Sequence, residues 1–172
     1  MKAILFDLGN TLVSYYRRYE FPDILKQAII NVNNFLFRNE CSITDDHLWQ
    51  AVKEEDYESV DNRVRPLEER LLRIFKIEAR CYDTDLLEDM SRCFMKPIFD
   101  RSVLYDDVLP TLKEIKKKGV KTAIVSNTSW GSPAKLWREE IMHLGLDQHI
   151  DEKCFAVMLV GESQLNRYLN IL

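Results

Sequence analysis

At 172 residues, 46% hydrophobic and 30% charged, the chain has the composition of an ordinary globular protein, long enough for one domain or a core domain with a modest insertion. A formal net charge of −4 provides no footprint for nucleic acid or acidic lipid, so neither is expected as a partner. Cys41, Cys81, Cys93 and Cys154 are widely spaced without a CxxC pair, which argues against a zinc site and a disulfide framework. The chain opens directly on strand material and has no membrane-length apolar run, so a reducing cytoplasm is the expected setting.

Ala3-Ile4-Leu5-Phe6 is an unbroken apolar run, which suits a strand buried on both faces of a parallel sheet. It ends at Asp7, followed by Gly9 and Asn10, residues that tolerate tight turns and positive φ. A carboxylate at the carboxyl end of a buried strand lies where open α/β sheets bind ligands, and Asp7 is therefore predicted to be a nucleophile. The stretch from Val13 to Tyr19 reads as an amphipathic connector with snorkelling arginines, or else as the mouth of a site for an anionic substrate.

From about Pro22 to Phe99 the pattern is helical. Ile24, Leu25, Ala28, Ile29, Val32 and Phe35 recur at three- and four-residue steps, as one apolar helix face requires. Thr44 with Asp45 and Asp46 predicts a helix start, while Leu67, Leu71, Leu72 and Phe75, then Leu86, Leu87, Met90 and Phe94, form further stripes. Pro66 and Pro97 are expected to punctuate them. The block predicts a small helical bundle whose Met and aromatic side chains are core.

At Tyr105 the pattern changes. Asp106 to Pro110 starts a helix with Leu112 and Ile115 facing inward, and Gly119 stops it. Lys121 to Ser126 predicts a second strand ending in a hydroxyl. Ser132 is expected to cap the next helix with Pro133 at its first position. Leu136, Trp137, Ile141, Met142 and Leu144 are assigned to its buried side, and Cys154 to Val160 predicts a third strand.

Asp7, Thr11 and Leu12 in FDLGNTL, Ser126-Asn127 in IVSN, and the helical block between them resemble the haloacid dehalogenase superfamily, over Met1 to about Phe155. The resemblance implies an α/β fold: a Rossmann-like parallel sheet, incomplete at about three strands, with a helical-bundle cap inserted after the first strand. Residues 1–14 and 102–172 would form the core and 15–101 the cap. It implies Asp7 as nucleophile, which suits a carboxylate of reference pKa about 3.9, ionised without help from a base. Ser126 would hold phosphate oxygens, with Gly9, Asn10, Thr11, Asn127 and Thr128 binding substrate and the amides after Asp7 and Ser126 forming an anion nest. Magnesium would bridge carboxylate and phosphate, held by Asp7 and Gly9.

Two departures qualify the likeness. Gly9 stands where typical family phosphatases carry a second Asp as general acid and base, a group whose loss costs about 10²–10⁴-fold in rate. Dehalogenating members also lack that Asp but typically have Tyr there; in such an enzyme Arg38 would hold the substrate carboxylate. The family's later Lys and acidic pair are also missing, since no lysine follows Lys153 and Glu162 is the only acid after Glu152. The expected function is thus a magnesium-dependent phosphatase acting on a small phosphate monoester, impaired in this chain. The alternatives are a 2-haloacid dehalogenase and a catalytically silent remnant or binding module.

The tail suggests a cause. One permitted codon choice for Ala156 to Leu172, read from the third base, translates as GDVGRRKPTQSLFEYT, with Lys-Pro where the family's third motif is due. The expectation is a single-base shift near Phe155–Ala156 that truncated a longer protein. It leaves an open edge on the first strand, through which a homodimer is expected to form.

Overall fold

The computed structural model describes residues 3–38, 45–55, 65–78 and 83–156. Thr44, the side chain of Arg38 and the tail from residue 157 lie outside the described residues. In chain order the elements are β1 (Ala3–Phe6), β2 (Val13–Ser14), α1 (Phe21–Arg38), α2 (Asp45–Glu54), α3 (Leu67–Ile74), α4 (Thr84–Phe99), β3 (Val103–Leu104), α5 (Val108–Lys117), β4 (Lys121–Ser126), α6 (Ala134–His143) and β5 (Glu152–Phe155). They form two compact units, residues 1–16 with 98–172, and residues 17–97.

The first unit is an α/β layer built on a parallel sheet of order β1-β4-β5. Its register pairs Phe6 with Ile124 and Ser126 with Phe155, so the carboxyl ends of β1 and β4 lie side by side. The core of this unit is drawn from both halves of the chain: Leu8, Leu12 and Val13 from the first loop, with Leu112, Ile124, Leu136, Ile141 and Phe155. Trp137 is a hub, meeting Phe99 edge-on at 5.2 Å and Tyr15 edge-on at 5.6 Å.

Several expectations are corrected here. β1 is not buried on both faces: Ile4 is 36% and Leu5 54% exposed. Among the described residues β1 is an edge strand, without the further strand and crossover helix that would cover it. Val13-Ser14 is a short strand paired antiparallel with Val103-Leu104, not a plain connector. Two residues are too few to show alternation, so no sequence pattern announces this pair. Ser132 does not cap α6. Pro133 occupies the N-cap position and Ser132 Oγ instead accepts the Trp137 indole N–H at 2.8 Å. Met142 is 61% exposed, and Glu140 takes a buried place on that helix instead. The third strand begins at Glu152, two residues earlier than its apolar run suggests. Gly119 does end α5 as expected, with φ of +66°.

The amino ends of β4 and β5 are fastened by Asp151. Its Oδ1 accepts from Lys121 Nζ at 2.8 Å and its Oδ2 from the Thr122 amide at 2.9 Å. The Lys121 hydrogen bond and then the Thr122 amide hold this carboxyl down to about 2. A depressed folded pKa stabilises the fold above the unfolded value and is lost on acidification. We therefore expect stability to fall between about pH 4 and pH 2, with Asp151→Asn removing that component of the dependence. Acid titration followed by circular dichroism at low and high salt checks this, and high salt should shrink the difference because the pair is exposed.

In the helical unit Ile24, Ala28, Ile29 and Val32 of α1, Leu67 and Leu71 of α3, Phe75 after it, and Met90 and Phe94 of α4 are buried as the stripes predict. Leu25, Phe35, Leu72, Leu86 and Leu87 are only half-buried, and Leu36 of α1 and Leu48 and Val52 of α2, in no predicted stripe, complete the core. Pro97 does not end its helix, since α4 runs on to Phe99. One charged cluster lies inside this unit. Arg70 is 1% and Glu55 6% exposed. The Arg70 guanidinium donates to the Glu55 carbonyl, and Arg73 grips the Glu55 carboxylate with Nε at 2.7 Å and a second nitrogen at 3.0 Å. Arg70→Ala would strand that buried carbonyl and open a cavity, at a cost of about 3 kcal/mol. Urea unfolding should show the midpoint falling at nearly constant slope.

Candidate active site

The parallel register puts Asp7, one residue beyond β1, beside the end of β4. Ser126 Oγ donates to Asp7 Oδ1 at 2.7 Å and lies 3.2 Å from the Asn127 carbonyl. The Asp7 carboxylate is exposed, so an incoming molecule can reach it. It is held at its base by Leu8, which is 1% exposed and whose carbonyl accepts the amides of Leu12 and Val13, each at 3.0 Å.

Of the two residues that tolerate positive φ, the turn uses one. Asn10 takes the left-handed conformation with φ of 58°, while Gly9 does not. A Cβ added at Gly9 would meet nothing nearer than Tyr15 Cδ2 at 4.0 Å. Backbone geometry therefore does not demand glycine at position 9. The Asn10 amide is committed to the Val13 carbonyl at 2.7 Å, so an anion nest here would draw on other amides of the turn.

Asn10, Thr11 and Asn127 are exposed on the two loops that leave β1 and β4. Thr128 is only 8% exposed and its hydroxyl is buried without a hydrogen-bond partner among the described residues, so any contact with substrate would come from its backbone. Two residues outside the predicted set join the loop after β4: the hydroxyls of Tyr16 and Ser129 lie 3.2 Å apart. Beyond them Trp130, with φ of 54°, and Gly131, with φ of 66°, form a left-handed turn, and Trp130 is 4% exposed. A buried tryptophan in that conformation is strained, and such strain collects at functional sites. The Trp-Gly-Ser-Pro run was the available signal.

Magnesium, which the resemblance implies, demands a near-octahedral set of oxygens. Among the described residues no three His, Cys, Asp or Glu side chains gather to hold a metal. Asp7 and a single carbonyl do not fit a tightly held ion.

A strand-end carboxylate faced by a hydroxyl from the adjacent parallel strand thus stands at the carboxyl edge of an α/β sheet, the edge at which open α/β sheets bind ligands. A family model described as haloacid dehalogenase-like hydrolase matches residues 1–166, and the chain belongs to that family. Among solved structures, a HAD phosphatase from Thermococcus onnurineus is 18% identical over 98% of this chain and 69% of that one, with a TM-score of 0.55. A predicted phosphatase from Clostridium acetobutylicum is 17% identical over 98% and 68%, with a TM-score of 0.43. A predicted phosphoglycolate phosphatase from Haemophilus somnus is 21% identical over 90% and 62%, with a TM-score of 0.41. The first of the three supports the fold, and at that identity the fold alone. The chain spans 62% to 69% of the lengths of these proteins. No curated protein matches it. No helix among the described residues is long and apolar enough to cross a membrane.

Proposed function

We propose that the chain derives from a phosphatase of small phosphate monoesters working through an aspartyl-phosphate at Asp7, and that it retains at most a slow form of that reaction. The observation that carries this is the 2.7 Å hydrogen bond from Ser126 to Asp7 Oδ1. It ties one carboxylate oxygen and leaves Oδ2 as the attacking atom. Oδ2 forms a bond to phosphorus while the ester P–O bond breaks, and the departing oxygen takes a proton from water. Water then attacks the acyl phosphate, releasing inorganic phosphate and restoring the carboxylate. Ser126 orients Asp7 before substrate arrives, and its single hydroxyl proton then turns from Oδ1 to a phosphoryl oxygen.

The slowness follows from Gly9, which supplies no proton to the leaving group. The same gap favours a second reading, a silent remnant or binding module. Acid quench during turnover of a phosphate ester, followed by peptide mass spectrometry, separates them. A phosphoryl adduct on the Asp7 peptide supports the first reading, whereas turnover without an adduct overturns it. Neither turnover nor adduct favours the second. Chloride release from a 2-haloacid would instead indicate a dehalogenase using the same nucleophile. Magnesium held by Asp7 and the Gly9 carbonyl would bind only in the millimolar range, which titration calorimetry reads directly.

The finer assignments belong to the same proposal. The helical unit is the family's cap, residues 15–101, inserted in the sequence of a core of 1–14 and 102–172. Free Cys93 and Cys154 suit a reducing cytoplasm. The β1 edge, with Ile4, Leu5 and Val125 exposed beside it, pairs with a second copy of the chain. Light scattering that finds a monodisperse monomer would refute the dimer.

A further inference from the structure

Behind the Asp7 loop lie two buried polar groups that the proposed reaction does not use. Tyr15 is 7% and Glu140 6% exposed, yet neither the Tyr15 hydroxyl nor Glu140 Oε1 has a hydrogen-bond partner among the described residues. They share one region of the first unit. The Tyr15 ring meets Trp137 edge-on at 5.6 Å, and Glu140 follows Trp137 by one helical step on the buried side of α6. The same tyrosine backs the nucleophile turn, its Cδ2 standing 4.0 Å from the point a Gly9 Cβ would occupy. Burial, and then the Glu140 charge, pushes the phenol upward, so it remains a hydrogen-bond donor at any working pH.

A protonated phenol and a carboxylate oxygen are a donor and an acceptor that lack each other. Cores rarely leave such atoms unsatisfied, and the usual remedy is an ordered solvent molecule with two to four polar partners. A metal cation would need more oxygens than this pair supplies. We propose that Tyr15 and Glu140 share one internal water, which accepts the phenol O–H and donates to Glu140 Oε1. The bridge ties the segment after β2, which backs Gly9, to α6. It does not depend on the chain having any hydrolytic activity.

Tyr15→Phe keeps the ring and its contact with Trp137 and deletes only the hydroxyl, so the sign of its effect is informative. With the water in place, the melting temperature falls by about 2–8 °C. Glu140→Leu, which keeps the bulk but removes the acceptor oxygens, should then cost less in the Tyr15→Phe background than alone, because the two changes break one bridge. A melting temperature unchanged or raised by Tyr15→Phe overturns the proposal. A crystal structure of the wild-type chain provides the second readout. A solvent peak within hydrogen-bonding distance of both atoms supports the bridge, and a direct Tyr15–Glu140 bond, or no peak, overturns it.

Discussion

Asp7→Asn is expected to lower turnover of any phosphate ester by roughly 10⁶-fold, the order lost when an enzyme's nucleophile is deleted. The change is nearly isosteric. The introduced amide retains an acceptor oxygen for the Ser126 hydroxyl, so the 2.7 Å contact and the turn around it survive. Because the side chain is exposed, the melting temperature should move by no more than about 2 °C. Only the negative charge and the nucleophilic lone pair are removed. Ser126→Ala leaves the nucleophile and removes its orienting donor, so its loss should be smaller, about 10²–10³-fold. Steady-state assays on the two variants, with thermal melts as controls, check the ranking. If Asp7→Asn matched wild type, the measured activity would not arise at this site.

The Asp7–Ser126 pair is legible in the sequence because both residues stand at chemically abrupt points: a carboxylate that ends one apolar run and a hydroxyl that ends another. Parallel pairing then does what such pairing must, bringing the two strand ends level. The helix stripes were legible for a similar reason, since a period of 3.6 persists over many residues in α1. What escaped was short or nonlocal. The β2–β3 pair has two residues per strand and depends on a partner some ninety positions away. The Tyr16–Ser129 contact joins residues 113 positions apart. Burial of Glu140 and exposure of Met142 invert residue-type preference, and only the surroundings of α6 decide it. β1 shows the limit from the other side. Its apolar run was read correctly as a strand, but burial depends on neighbours the run does not encode. The positive φ in the turn fell to Asn10 rather than Gly9, a choice between two permissive residues that composition alone cannot make.

That last detail makes the second large effect predictable. Gly9 has an ordinary φ, and a Cβ there meets only the Tyr15 ring at van der Waals distance, so Gly9→Asp should fold without strain. The new carboxyl would stand two residues from Asp7, close enough for like charges to oppose joint ionisation. That repulsion should drive the added carboxyl toward protonation. It would then offer a proton to the departing oxygen and afterwards accept one from water. General acid–base help of this kind contributes about 10²–10⁴-fold. The gain should be selective. Alkyl phosphates leave as strongly basic alkoxides and need the proton, whereas aryl phosphates with acidic phenols leave unaided. Gly9→Asp is therefore expected to raise the alkyl rate far more than the aryl rate and to flatten the dependence on leaving-group acidity. The alkyl rate should acquire a new fall at high pH, because the added group must be protonated when the leaving oxygen departs. Adding Asp7→Asn to the variant should abolish the gain for both ester classes. Equal acceleration of both classes would mean that the added carboxyl acts through charge or metal binding rather than proton transfer.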